Sequence, residues 1–284
     1  MKTEQEKAAL FEKLHREGCF LIPNPWDRGS ARLLEYQGFK ALATTGAGFA
    51  FSQGVPDLTV GAEQMMDYLR AICSATDLPV SADLQNGFSA VPGEVAKTIV
   101  AAAAAGIVGG SIEDASGDPG NPIYELDHAV ERIRAAAEAA RSLPFRFMLT
   151  ARAENLLYGR HDLKETIARL QAYQEAGADV LYAPGILSRD EIRSILSSID
   201  RPLNVLMGFQ GDNNISLAEL AAMGVRRVSI GASLARAAYG ALMRAAKEMA
   251  DSGTFAFADS AVSPKEINGI FSEFEAGRGQ NGRS

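Results

Sequence analysis

Short apolar runs alternate with longer amphipathic stretches along most of the chain. Eight runs carry the strand pattern: residues 20–23, 41–45, 80–84, 109–113, 147–152, 180–183, 203–207 and 227–231. Helix-period segments separate them at 29–37, 62–75, 93–105, 126–141, 163–176, 189–198 and 217–223, and another follows the eighth run at 232–249. Apolar runs bounded by turn residues and separated by helical stretches indicate βαβ units and a parallel sheet. Eight such units predict a closed (β/α)8 TIM-type barrel; the competing arrangement is an open doubly wound sheet.

Local punctuation repeats the same design. Gly38, Gly106, Gly177 and Gly224 each stand between a helical segment and the next strand, where a left-handed residue can end a helix. Residues 1–17 read as a charged amphipathic helix ahead of the barrel. The barrel is therefore expected over 1–250, with a C-terminal helical arm over 251–284. Within the arm, Ser263 suits an N-cap and Pro264 a first helical position, which predicts a helix over about 264–276. The polar, Gly-rich tail is expected to be disordered.

Composition narrows the class. The 284 residues carry a formal net charge of −7 and show no basic run, which argues against a nucleic-acid partner. An anionic ligand would need local positive charge from a metal, an Arg or backbone N–H groups. Cys19 and Cys73 form neither a metal spacing nor a bridge framework, which suits a reducing cytoplasm. No stretch approaches the length of a membrane span, and no signal-peptide pattern begins the chain.

In such barrels the loops after the strand C-termini build the site. Asp83 and Glu113 end neighbouring strands, and two like charges held that close call for a cation between them. Hard oxygen ligands suit Mg2+. Either acid alone reads better as a helix cap or an Arg partner; it is the two together at adjacent strand ends that point to the metal. Arg152 leaves strand five near the same mouth, where it could hold a carboxylate or an enolate oxygen, or simply pair with Glu154 or Glu113. The Thr-Thr-Gly-Ala-Gly stretch at 44–48 offers backbone N–H groups in a small turn. Asn204, in strand seven, could face the pocket or be structural. His15, His128 and His161 fall away from strand ends, and no GxGxxG or Walker pattern follows a strand.

The phrases NPWDRGSARLLEYQGFKALATTGAG, GVPDL, SADLQNGF, SIEDASG, TARAEN and EAGADVLY, in this order, resemble the isocitrate lyase/phosphoenolpyruvate mutase superfamily from about residue 20 to 250. The resemblance implies a Mg2+ site at Asp83 and Glu113, with Gln85 where the family has the second acid of Asp-x-Asp. It implies that Asp57 belongs to the same acidic group. Thr45, Gly46 and Ala47 match the turn that holds the substrate carboxylate or oxyanion. Arg152 matches the arginine facing the reacting group, and Asn204 falls in a pocket-lining region. It further implies a 2-oxo acid substrate, and a homotetramer of helix-swapped dimers in which the C-terminal helix is exchanged.

Departures from the family pattern shape the expected chemistry. The loop after strand four reads DASGDPGNPIYEL and lacks the lid Cys of family lyases, so isocitrate-type cleavage is discounted. Asn121 is a poor match to the mutase lid, and Pro184 stands where lyases place a Glu. Gln85 removes one negative charge beside the ion. The expected activity is Mg2+-dependent cleavage of a C–C bond in an oxaloacetate-like 2-oxo acid through a metal-stabilised enolate, with the 117–122 segment closing over the ligand. The alternatives are C–P chemistry, as in phosphoenolpyruvate mutase or phosphonopyruvate hydrolase, and a non-catalytic 2-oxo acid binder.

Overall fold

The computed structural model describes residues 2–186, 188–209 and 215–281. The eight strands are β1 (Phe20–Ile22), β2 (Leu42–Ala43), β3 (Val80–Asp83), β4 (Gly109–Glu113), β5 (Met148–Arg152), β6 (Val180–Tyr182), β7 (Leu203–Leu206) and β8 (Arg227–Ser229). All neighbouring pairs are parallel, in the order β1-β8-β7-β6-β5-β4-β3-β2. The ring closes where the Ala43 N–H donates to the Pro23 carbonyl at 3.0 Å, which joins β2 to the end of β1. The expected barrel is the observed architecture, and each strand falls within its apolar run.

The helices are α1 (Glu4–Arg16), α2 (Arg28–Tyr36), α3 (Gly46–Ser52), α4 (Ala62–Ala75), α5 (Pro92–Ala104), α6 (Leu126–Ser142), α7 (Leu163–Ala176), α8 (Arg189–Leu196), α9 (Leu217–Met223), α10 (Ser233–Ser252) and α11 (Pro264–Asn281). Gly177 and Gly224 end α7 and α9 at φ 109° and 104°, the left-handed caps that their positions suggested. The outer core is a continuous layer of strand and helix side chains, including Leu69, Ile99, Ile133 and Leu170. A second cluster closes the barrel floor, where Ala8 and Phe11 of α1 pack against Phe20, Val108, Met148 and Val180. A Cβ at Gly109 would stand 2.7 Å from Phe11 Cε1, so glycine there lets the helix seat against β4.

The last two helices depart from the ring. Only Ala235 of the 20-residue α10 is buried, while Leu242 and Met243 are 62% and 70% exposed. The α11 helix starts at Pro264 and continues past the expected end to Asn281. It lies on α2 of its own barrel: Ile270 is buried, Arg32 pairs with Glu275 at 2.7 Å, and Arg32 stacks over Phe274. No described helix is long and apolar enough to cross a membrane.

Candidate active site

A cavity of about 340 Å³ opens at the C-terminal ends of the strands. Its lining includes Thr45, Ala47, Asp57, Asp83, Gln85, Glu113, Arg152 and Asn204, so nearly every residue singled out from sequence converges there. Gly46 adjoins it, donating its N–H to Asp83 Oδ2 at 3.1 Å.

Register explains the convergence. Asp83 sits opposite Ser111, and Glu113 opposite Arg152, so β3, β4 and β5 deliver three charged side chains to one rim. Arg152 is the hub. It meets Asp83 Oδ1 at 3.0 Å, Glu113 Oε2 at 3.0 Å and Glu154 Oε1 at 2.9 Å. Its guanidinium also stacks over the Tyr182 ring, 5.2 Å from the centroid. Three carboxylates thus share one cation. Burial pushes the Glu113 carboxyl up; Arg152 opposes this, while Glu154, Asp83 and Asp114 add to it. Burial likewise raises Glu154 against the pull of Arg152. Burial works against the Arg152 charge, but its three acids overcome that and hold its pKa well above the ordinary value.

A divalent cation beside these acids would favour their charged forms against the effect of burial. Among the described residues no group of three or more His, Cys, Asp or Glu forms a ready cation cage. Mg2+ does not require one, because it usually keeps several waters and takes one or two carboxylates. Asp83 and Glu113 fit that limited role. Gln85 stands beside them with its buried Nε2 unpartnered, a donor suited to a water or a substrate oxygen.

The stretch expected to be a small turn is the first turn of α3. Thr45 caps it, its Oγ1 accepting from the Gly48 N–H at 3.1 Å. Two glycines disfavour a helix, yet a Cβ at Gly48 would come within 2.6 Å of Thr45 Cγ2 and 3.1 Å of Trp26. Close packing against the Thr45 cap and Trp26 therefore selects Gly at position 48 and overrides its helix preference. The Thr45 N–H donates to the Tyr68 hydroxyl at 3.3 Å, which donates in turn to the Pro25 carbonyl at 2.7 Å. This ties the cap to the end of β1.

Asp57 lies on the rim, its Oδ1 accepting from the Leu58 N–H at 2.8 Å. Partial enclosure raises its pKa, with Asp83 adding to the effect. Asn204 is fully engaged: its amide donates to Ser229 Oγ at 2.9 Å and accepts from Arg227 Nε at 2.8 Å. The segment expected to close over the ligand forms a small hairpin, with Ala115 bridged to Ile123 and the Ser116 N–H donating to the Pro122 carbonyl at 2.8 Å.

Two supporting arginines were not visible in the sequence. Arg132 of α6 is fully buried and donates to the carbonyls of Glu113 (3.0 Å), Ser89 (3.2 Å) and Asn86. Arg227 is buried inside the barrel and reaches Asn204, Thr150 and His15. Three non-glycine residues among those described take positive φ: Leu58, Gln85 and Phe88 at 62°, 50° and 58°. Leu58 and Gln85 line the cavity, and strained backbone commonly clusters at functional sites.

Residues 11–250 match the phosphoenolpyruvate phosphomutase family. The chain belongs to that family, within the isocitrate lyase/phosphoenolpyruvate mutase superfamily of carbon–carbon lyases and mutases. A Burkholderia cenocepacia J2315 protein of lyase/mutase type shares 57% identity and superimposes with a TM-score of 0.92, covering 94% of this chain and 96% of that one. An oxaloacetate acetylhydrolase solved with its product oxalate is 27% identical, TM-score 0.86, over 99% of this chain and 98% of that one. A phosphonopyruvate hydrolase solved with oxalate and Mg2+ is 26% identical, TM-score 0.83, over 99% of each. Family membership makes the protein an enzyme of this superfamily and leaves its reaction subclass open.

Proposed function

We propose that the protein cleaves a carbon–carbon bond of a small, oxaloacetate-like 2-oxo acid, with Mg2+ as its resident cation. The observation that carries this is Arg152 held by Asp83, Glu113 and Glu154 at the C-terminal ends of the strands. Asp83 and Glu113 would hold the ion, with water completing its shell. When bound, Mg2+ supplies Lewis acidity toward a keto oxygen.

The rest is the work of this chain's own side chains. The Arg152 guanidinium is fixed in advance, so it stabilises developing negative charge without reorganising. The first turn of α3 presents the Ala47 N–H, which has no protein acceptor among the described residues, to a substrate carboxylate. Asp57, which lines the cavity and has a raised pKa, would return a proton to the product carbon. Loss of CO2 needs no acid on the departing group, in keeping with a lid that contains no Cys, His or Lys.

Incubation of purified protein with oxaloacetate, with Mg2+ and with chelator, tests the proposal. Turnover that requires Mg2+ and is abolished by Asp83→Ala supports it. Turnover unaffected by either change argues against the site. Phosphorus NMR with phosphonopyruvate separates C–P from C–C chemistry, and tight 2-oxo acid binding without turnover would favour a binder.

For assembly, we propose a homotetramer of helix-swapped dimers. Support comes from α10, whose exposed Leu242 and Met243 lie on a helix with one buried residue. In this reading α10, rather than α11, is the helix offered to a second copy. Light scattering at a monomer mass of 30.2 kDa checks it.

A further inference from the structure

The cavity at the strand ends reaches below the acids. On β3 its lining includes Ser81 as well as Asp83, and on β4 Ser111 as well as Glu113. Residues two apart on a strand share a face, so the two serines stand about 7 Å deeper in the barrel. Asn204, Arg227 and Ser229 line the cavity from β7 and β8. Bulky aliphatic side chains usually fill a barrel interior; small polar ones here leave a second layer of the cavity beneath the rim.

Arg227 belongs to that deeper layer. Its Nη2 donates to Thr150 Oγ1 at 2.9 Å, and Thr150 precedes Arg152 by two residues on β5. Its Nε donates to Asn204 Oδ1 at 2.8 Å, and its Nη1 to His15 Nε2 at 3.3 Å. All three acceptors are neutral, because burial keeps His15 unprotonated. Among the described residues no carboxylate pairs with Arg227. Burial draws its pKa down to about 10, and only Tyr182 acts the other way.

The contrast with Arg152 is the key observation. Arg152 has three acids, while Arg227, buried in the same cavity wall, has none. A buried cation without a counter-ion is costly. A guanidinium carries five N–H groups, and the bonds to Asn204, Thr150 and His15 use three. Donors and charge therefore remain for an anion. A short dicarboxylate spans the two layers, with a 2-oxo acid end at the rim and its far carboxylate among Arg227, Ser81 and Ser111.

We propose that Arg227 anchors a second carboxylate of the substrate inside the barrel, so that the enzyme acts on 2-oxo acids carrying a carboxylate beyond the group they lose. The assignment rests on the 2-oxo acid head group lying at Asp83, Glu113 and Arg152. The anchored carboxylate is one that the reaction retains, since leaving as CO2 would forfeit its ion pair.

Calorimetric titration of the intact protein in Mg2+ with pyruvate, 2-oxopentanoate and 2-oxoglutarate tests it. The last two have chains of equal length and differ in the terminal carboxylate. 2-Oxoglutarate should bind about tenfold tighter or more, as a hydrogen bond to a charged group implies. Arg227→Met should abolish that preference and Arg227→Lys should keep part of it, so the parent protein and the Lys variant decide if the Met variant does not fold. A second arm needs neither metal nor keto acid: in chelator, formate should raise the Tm of the parent protein more than that of Arg227→Met. Equal binding of the two longer acids by the parent protein, with pyruvate also bound, overturns the anchor and leaves the head-group reading standing. A formate response that accompanies such equal binding would mean that Arg227 holds a free small anion, which also overturns the anchor. A preference undiminished in Arg227→Met overturns it too. An Arg227-dependent formate response with no binding of any 2-oxo acid would overturn the head-group reading and keep the carboxylate site.

Discussion

Arg152 Nη1 lies 3.0 Å from Asp83 Oδ1, a contact between β5 and β3 that reaches across the end of β4. It makes the arginine part of the acid cluster before any ligand arrives. Arg152→Met would leave three enclosed carboxylates without their shared cation, and Arg152→Lys offers one nitrogen where the acids use three. We expect kcat to fall about 100-fold or more in either variant, with Arg152→Met also lowering Tm. Steady-state kinetics and thermal unfolding on the same samples check this.

Arg132 should behave differently, because it acts through backbone carbonyls and does not line the cavity. Arg132→Met leaves buried acceptors unsatisfied, at about 1–3 kcal/mol for each group that water cannot reach. Urea unfolding should show the loss. KM should rise more than kcat falls, since the loops it fixes shape the mouth of the cavity rather than the reacting charge.

Gly109→Ala provides a change remote from the mouth. The new methyl would meet Phe11 Cε1 at 2.7 Å and the Met148 carbonyl oxygen at 2.9 Å. Overpacking of this kind costs about 1–3 kcal/mol. Denaturant midpoints should fall, while kcat per folded molecule should hold.

His15 gives the pH prediction. Its Nδ1 lies 2.8 Å from the Phe11 carbonyl and so carries the proton, leaving Nε2 to accept from Arg227 Nη1 at 3.3 Å. Burial, then Arg227, lower its pKa from 6.5 to about 3. The folded state thus keeps His15 neutral where the unfolded chain would protonate it. Its contribution to stability is full above pH 6.5 and is lost as pH falls toward 3. The slope is at most about 1.4 kcal/mol per pH unit. Chemical denaturation between pH 6.5 and 4.5 should show a shallower dependence in His15→Phe than in the parent protein.

What the sequence revealed follows from physical range. Strands and helix ends obey local rules, so the eight apolar runs and the glycines at 177 and 224 were readable directly. Acids at strand ends were readable too, because the barrel dictates where those ends meet. The start of α3 was not. Gly48 is selected by the Thr45 cap and by Trp26 and Ala235, and the last two are contacts far along the chain that local propensity cannot register. Arg132 and Arg227 were missed for the same reason: their partners stand up to 46 and 212 residues away. Nothing local distinguishes Arg132 from other charges on its helix, or Arg227 from a charge at a strand start.

The proposal turns on Asp83 and Glu113 holding a divalent cation, and Mg2+ titration in the presence of oxalate tests it most directly. Saturable binding by the parent protein, lost in Asp83→Ala and weakened in Glu113→Gln, is the predicted result. Absence of binding by the parent protein, or equal binding in all three, would contradict it.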